Sequence, residues 1–168
     1  MILSKQRGET GTSLIEATIA ACTSVMFLGS LFTLNMTAMR TVRTARDAAS
    51  ASQVLQQRVE SLRIANWHQV TDANWIKNNL LNTSAAGSSN LKDIQETLTL
   101  VPYESAAVGN TQLVRSGNAT QIVNSNNALL AESAVKVIWT VAYAGGINSS
   151  STTRQTVAIL AKGGVAKW

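Results

Sequence analysis

From Leu14 to Leu34 the chain reads LIEATIAACTSVMFLGSLFTL, and Glu16 and Cys22 are the only ionisable side chains in that run. No other stretch limits the fold as tightly. As a helix rising 1.5 Å per residue it spans about 31 Å, close to the hydrocarbon thickness of a bilayer. Proline is absent, Gly29 is the single glycine, and Arg40, Arg43 and Arg46 follow as a charged stop. Length and stop favour a membrane helix over the core helix of a globular domain. A cleaved secretory signal would be shorter and would end at a small-residue cut site. Here the hydrophilic head MILSKQRGETG precedes the apolar run, and the run passes without a break into a helical pattern. The segment is therefore read as retained.

Orientation is weighed by charge. Lys5 and Arg7 place the amino terminus in the cytoplasm, while the three arginines beyond Met39 argue the other way. The size and composition of the remainder favour an extracytoplasmic C-terminal part on a single-pass anchor.

Glu16 is the anomaly. A carboxylate in hydrocarbon is costly unless it is protonated or paired. One helical turn from the start of the run, it can snorkel towards headgroups, or it can meet a cation held at the same depth. Cutting the chain after Gly11 would create such a cation, the new amine of Thr12. On the same helix that amine lies about 6 Å from Glu16 along the axis. On a neighbouring, slightly staggered helix it meets Glu16 directly, and a buried polar contact of that kind sets register between subunits.

A short basic leader ending in Gly11, then Thr-Ser-Leu-Ile-Glu, then an uninterrupted apolar helix resembles the amino terminus of type IV pilins and pseudopilins. The resemblance implies a prepilin peptidase that cuts between Gly11 and Thr12, methylation of the Thr12 amine, and Glu16 as the acid used in assembly and register. Major pilins usually carry phenylalanine where this chain has Thr12 and often proline where it has Thr33. The chain departs from that pattern and resembles the minor subunits instead. The implied fold is α+β and pilin-like, a long N-terminal helix packed on a C-terminal antiparallel sheet. The implied partners are other pilin or pseudopilin subunits, the prepilin peptidase, and the inner membrane with its assembly platform. The implied function is that of a minor structural subunit of a type IV pilus or a type II secretion pseudopilus. The alternative is a signal-anchored binding module that never assembles.

The rest of the sequence divides accordingly: a leader over 1–11, the membrane half of a helix over 12–39, its amphipathic half over 40–66, a connection over 67–90 and a sheet over 91–168. From Arg40 to Ala65 there is no Gly or Pro. Val42, Ala45, Ala49, Ser52, Leu55, Val59 and Leu62 recur at three- and four-residue steps, predicting one amphipathic stripe. Arg58 and Arg63 are assigned to its solvated flank, with Glu60 between them. One helix from Thr12 to near Ala65 is expected, the alternative being two helices hinged at 35–40. A short helical turn is expected over Asn74–Leu81 and a loop at AAGSSN, with Trp67 and Trp75 as packing residues. Strands are expected over Asp93–Val101, Thr111–Arg115, Ala119–Val123, Val135–Tyr143 and Thr153–Ala161, forming an antiparallel meander. In the fourth, Val135, Val137, Trp139, Val141 and Tyr143 share one face. The ending, a Trp-containing strand, a loop, and a threonine-rich strand closing in Ala-Lys-Gly-Gly, also resembles minor pilins.

The chain carries 14 Lys and Arg against 9 Asp and Glu, a formal +5. The excess is scattered, so Arg115, Lys136 and Arg154 are read as solvated surface and nucleic acid is not an expected partner. His68 is the only histidine and Cys22 the only cysteine. Metal-ligand spacing, a phosphate loop and a catalytic triad are all missing from the pattern. No cofactor, metal or catalytic residue is expected, and the chain is not read as an enzyme.

Overall fold

The computed structural model describes residues 14–104, 109–145 and 150–163. Two compact units divide at Thr41 and Val42. The first consists, among the described residues, of the opening part of helix α1 (Leu14–Ile64), an assignment unbroken through residues 35–40. The second holds the remainder of α1, a connecting region and a five-stranded antiparallel sheet, so the α+β architecture with a long apolar helix is as expected. Gly11 and Thr12 lie outside the described residues.

Within the second unit, α1 buries Ser50, Ala51, Val54, Leu55, Arg58 and Leu62. Only Leu55 and Leu62 of the expected stripe are among them; Val42, Ala45 and Ala49 are exposed. The stripe is rotated because its middle position is a charged residue, Arg58, which an apolar count skips. Arg63 does lie on the solvated flank, 3.5 Å from Glu60.

The connecting region is more helical than its sequence suggests. Helix α2 (Trp67–Thr71) and helix α3 (Ala73–Ile76) are separated by Asp72, whose carboxylate caps α3 by accepting from the Asn74 N–H at 2.8 Å. Helix α3 runs on as a π-helical turn over Lys77–Leu81. Trp67 and Trp75 are half-buried and pack on the core, and Trp67 Nε1 donates to the Leu130 carbonyl at 3.0 Å. The following loop passes close to α1 at Gly87. There φ is +87°, and a Cβ would stand 3.0 Å from the Ser50 carbonyl oxygen.

The strands are β1 (Lys92–Pro102), β2 (Thr111–Ser116), β3 (Ala119–Asn124), β4 (Ala134–Gly145) and β5 (Ser150–Ala161). Each contains the expected segment and extends it; Pro102 is the last residue of β1 instead of the first beyond it, a strand-end position that suits a residue without an N–H. The order is β3-β2-β1-β4-β5. This corrects the expected meander: β1, β2 and β3 are joined as successive hairpins, but β4 returns to the other edge of β1. That places β1 and β4, which carry the richest apolar alternation, next to each other at the middle of the sheet. Leu98, Leu100, Leu113, Val135, Val137 and Trp139, all at most 1% exposed, make the inner face that meets α1 and α3. Gly117, at φ +58°, opens the two-residue turn between β2 and β3.

Candidate functional site

Two arrangements stand out, one in each unit. The first is the apolar part of α1. Every described residue from Leu14 to Arg46 is exposed, including Leu14 at 85% and Met26 and Phe32 at 75%. Soluble monomers rarely expose a continuous apolar surface of this extent. The hydropathy and length are those of a helix able to cross a membrane, and it is the one such helix among the described residues. Its hydroxyls fit the same environment. Thr18, Thr23, Ser24, Ser30, Thr33 and Thr37 each donate to a carbonyl three or four residues back, at 2.7–3.0 Å. A donor satisfied inside its own helix needs no water, which removes most of the cost of placing it in hydrocarbon.

Glu16 lies in the first described turn of this helix and is exposed. A carboxylate there is favoured by the positive end of the helix dipole. Thr12 and Gly11, its expected functional neighbours, lie outside the described residues. Cys22 is an exposed free thiol on the same helix.

The second arrangement was assigned to solvent by the sequence reading and is in fact the centre of the packed unit. Glu96 on β1 is fully buried and faces two guanidinium groups. Arg58 donates from Nε to Glu96 Oε2 at 2.8 Å and from Nη2 to Oε1 at 2.9 Å. Arg115, its cross-strand neighbour on β2, donates from Nη1 to Oε1 at 2.8 Å. Further donors of both guanidinium groups reach backbone. Arg58 Nη1 donates to the Leu80 carbonyl and Nη2 to the Thr83 carbonyl at 2.8 Å; Arg115 Nε donates to the Gly117 carbonyl at 3.0 Å. The Arg58 guanidinium also lies 5.9 Å from the Trp139 ring centroid.

Two cations and one anion leave a buried excess of one positive charge, spread over backbone carbonyls instead of a second carboxylate. Those carbonyls belong to the π-helical turn (Leu80), to the loop after it (Thr83) and to the turn between β2 and β3 (Gly117). The cluster therefore ties helix, connection, β1 and β2 through one set of charge-assisted bonds. It corrects the reading of Arg58 and Arg115 as solvated residues; Lys136 and Arg154 are exposed, as read. A signal for the cluster was present. Glu96 shares the period-two phase of Leu98 and Leu100, Arg115 that of Leu113, and Arg58 stands three or four residues from Val54, Leu55 and Leu62.

Among the described residues no group of three His, Cys, Asp or Glu side chains is placed to hold a metal ion, and His68 is exposed on α2. Comparison with protein-family models, with curated proteins and with solved structures gives no match.

Proposed function

We propose that this chain is a minor structural subunit of a type IV pilus-like filament or of a type II secretion pseudopilus. In this reading it waits in the inner membrane on the apolar part of α1 with its sheet domain outside the cytoplasm. Prepilin peptidase removes residues 1–11, the Thr12 amine is methylated, and Glu16 meets the amine of a neighbouring subunit as the helices bundle.

The observation that carries the reading is the apolar opening of α1, exposed on every side and bearing Glu16 one turn in, on a chain whose other unit packs its own core. A membrane alone would accept the apolar surface. It leaves the acid to snorkel towards the headgroups, whereas a bundle of processed helices would set it against a neighbouring amine and give the greasy surface a second home.

Intact-mass measurement of the chain from cells with prepilin peptidase tests it. The expected species begins at methylated Thr12. A mature population that keeps residues 1–11 overturns the reading and leaves an anchored module.

A further inference from the structure

The sheet ends in two edges of different character. Edge strands are commonly blunted by shortness, proline, lysine or a bulge. Strand β3 spans six residues, and its pairing with β2 contains a register shift. Strand β5 has none of these four features, and its one charge is Arg154. It spans 12 residues, Ser150–Ala161, pairs with β4 in one unbroken register, and contains no Pro or Lys. Among the described residues no strand lies beyond it.

The phase of its free edge follows from one bond. The Lys162 N–H donates to the Ser133 carbonyl at 2.7 Å, continuing the β4–β5 register. Antiparallel ladders alternate, so the even-numbered residues of β5 turn their N–H and C=O towards β4. Thr153, Gln155, Val157 and Ile159 turn theirs outwards.

Side chains repeat the message. On the outer face Val157 and Ile159 are 51% and 56% exposed. On the inner face β4 is fully covered but Ala158 and Leu160 of β5 only in part. Clefts of about 680 and 880 Å³ lie between the α1–α2 region and β5. A row of outward peptide groups flanked by apolar side chains on both faces fits an added strand.

We propose that the free edge of β5 takes an antiparallel strand of a different polypeptide, one with apolar residues opposite Val157–Leu160 and an acidic side chain opposite Arg154. Charge sets the last part: Arg154 is exposed in the cleft and is the only charged residue of β5. A second copy fits poorly. Strand β5 is polar in its first half and apolar in its second, so two-fold pairing over the whole strand, about Gln155, sets Val157 against Thr153 and Ile159 against Ser151. Centring the pairing on Val157 sets Ile159 against Gln155 and leaves residues 150–152 uncovered. Pairing with the β3 edge of a copy would leave half of β5 uncovered. The docking depends neither on cleavage after Gly11 nor on filament assembly.

The test uses the full chain in detergent micelles and a labelled peptide, Val-Ile-Val-Val-Thr-Thr-Glu-Thr-Thr, written to lie antiparallel from Leu160 to Thr152. Fluorescence anisotropy is expected to show saturable binding. Val157→Pro removes one outward N–H and no ladder bond, so the melting temperature holds while peptide affinity falls about tenfold or more. Ala158→Pro, by contrast, lowers the melting temperature. If Val157→Pro fails to fold, N-methylation of alternate peptide amides makes the same test from the ligand side. Absent binding, or binding indifferent to both changes, overturns the proposal. Two other results reassign the occupant and also overturn it. One is self-association abolished by Val157→Pro, which points to a second copy. The other is tighter peptide binding after truncation beyond Gly163, which points to the chain's own residues 164–168.

Discussion

Arg58 on α1 and Glu96 on β1 meet side on, two parallel hydrogen bonds of 2.8 and 2.9 Å joining guanidinium to carboxylate, with both side chains at most 3% exposed. A charge pair this deep loses its hydration, and its attraction offsets that loss only while every partner is in place. Arg115 and the carbonyls of Leu80 and Thr83 complete the set.

The three charged members are therefore unequal. Glu96→Gln leaves two guanidinium groups buried without an anion and is expected to destabilise the packed unit by about 3–5 kcal/mol. For a chain of this size that lowers the melting temperature by roughly 10 °C. Arg115→Met leaves a neutral Arg58–Glu96 pair and costs less. Thermal unfolding of the full chain in detergent gives the ranking; equal effects would mean the carboxylate is not the hub.

Arg58 also restrains the loop that follows the π-helical turn. In Arg58→Met the Leu80 carbonyl loses its guanidinium donor, and the Thr83 carbonyl keeps only the 3.3 Å bond from Arg115. Limited proteolysis is expected to cut within residues 82–90 before the sheet unfolds, and to do so sooner than in Arg115→Met. Simultaneous loss of loop and sheet would show that the loop is not a separate opening unit.

These ion contacts mark where the sequence was legible and where it was not. Period-two alternation found all five strands, because each carries one buried apolar face. It could not give their order, since adding β4 to the free edge of β1 instead of to β3 changes no residue's alternation. The helix was equally plain, but its buried stripe was misplaced, because Arg58 at the centre reads as surface unless Glu96 is known to face it. Trp67–Thr71 is too short for a helical period to register. The opening of α1 was legible throughout, since an apolar surface on every side needs no partner in the chain to be recognised.

Gly87 tests a contact that composition alone describes as loop. Its φ of +87° disfavours any side chain, and an added Cβ would press on the Ser50 carbonyl at 3.0 Å and Gln53 Oε1 at 3.2 Å. Gly117 has φ +58° but nothing within 4 Å of its Cβ position. Gly87→Ala is expected to cost about 2 kcal/mol, while Gly117→Asn costs well under 1 kcal/mol, because Asn tolerates the left-handed region. Denaturant titration of the two variants separates them.

In the apolar part of α1 the hydroxyls already donate to their own helix, Ser30 to Phe27 at 2.7 Å, Thr33 to Ser30 at 2.8 Å and Thr37 to Thr33 at 2.8 Å. Replacing these three with Ala or Val removes donor and bond together and should leave membrane insertion unchanged. Insertion reported by glycosylation mapping would show it. A clear fall would mean that the hydroxyls contact something beyond their own helix.

Glu16 separates insertion from assembly. The helix around it is apolar enough to span a bilayer with or without the acid. Removing a carboxylate makes transfer into hydrocarbon easier, so Glu16→Ala should insert at least as well as the native chain. If the acid serves to hold the Thr12 amine of a neighbour, the same change should leave cleavage after Gly11 intact and yet sharply reduce recovery of the subunit in sheared filaments. Gly11→Ala should act earlier, leaving the leader attached and the chain in the membrane. Mass spectrometry of the membrane fraction with immunoblotting of the filament fraction resolves the two steps. Normal incorporation of Glu16→Ala would show that the acid only snorkels to the headgroups, and the pairing would have to be abandoned even if the leader is cut.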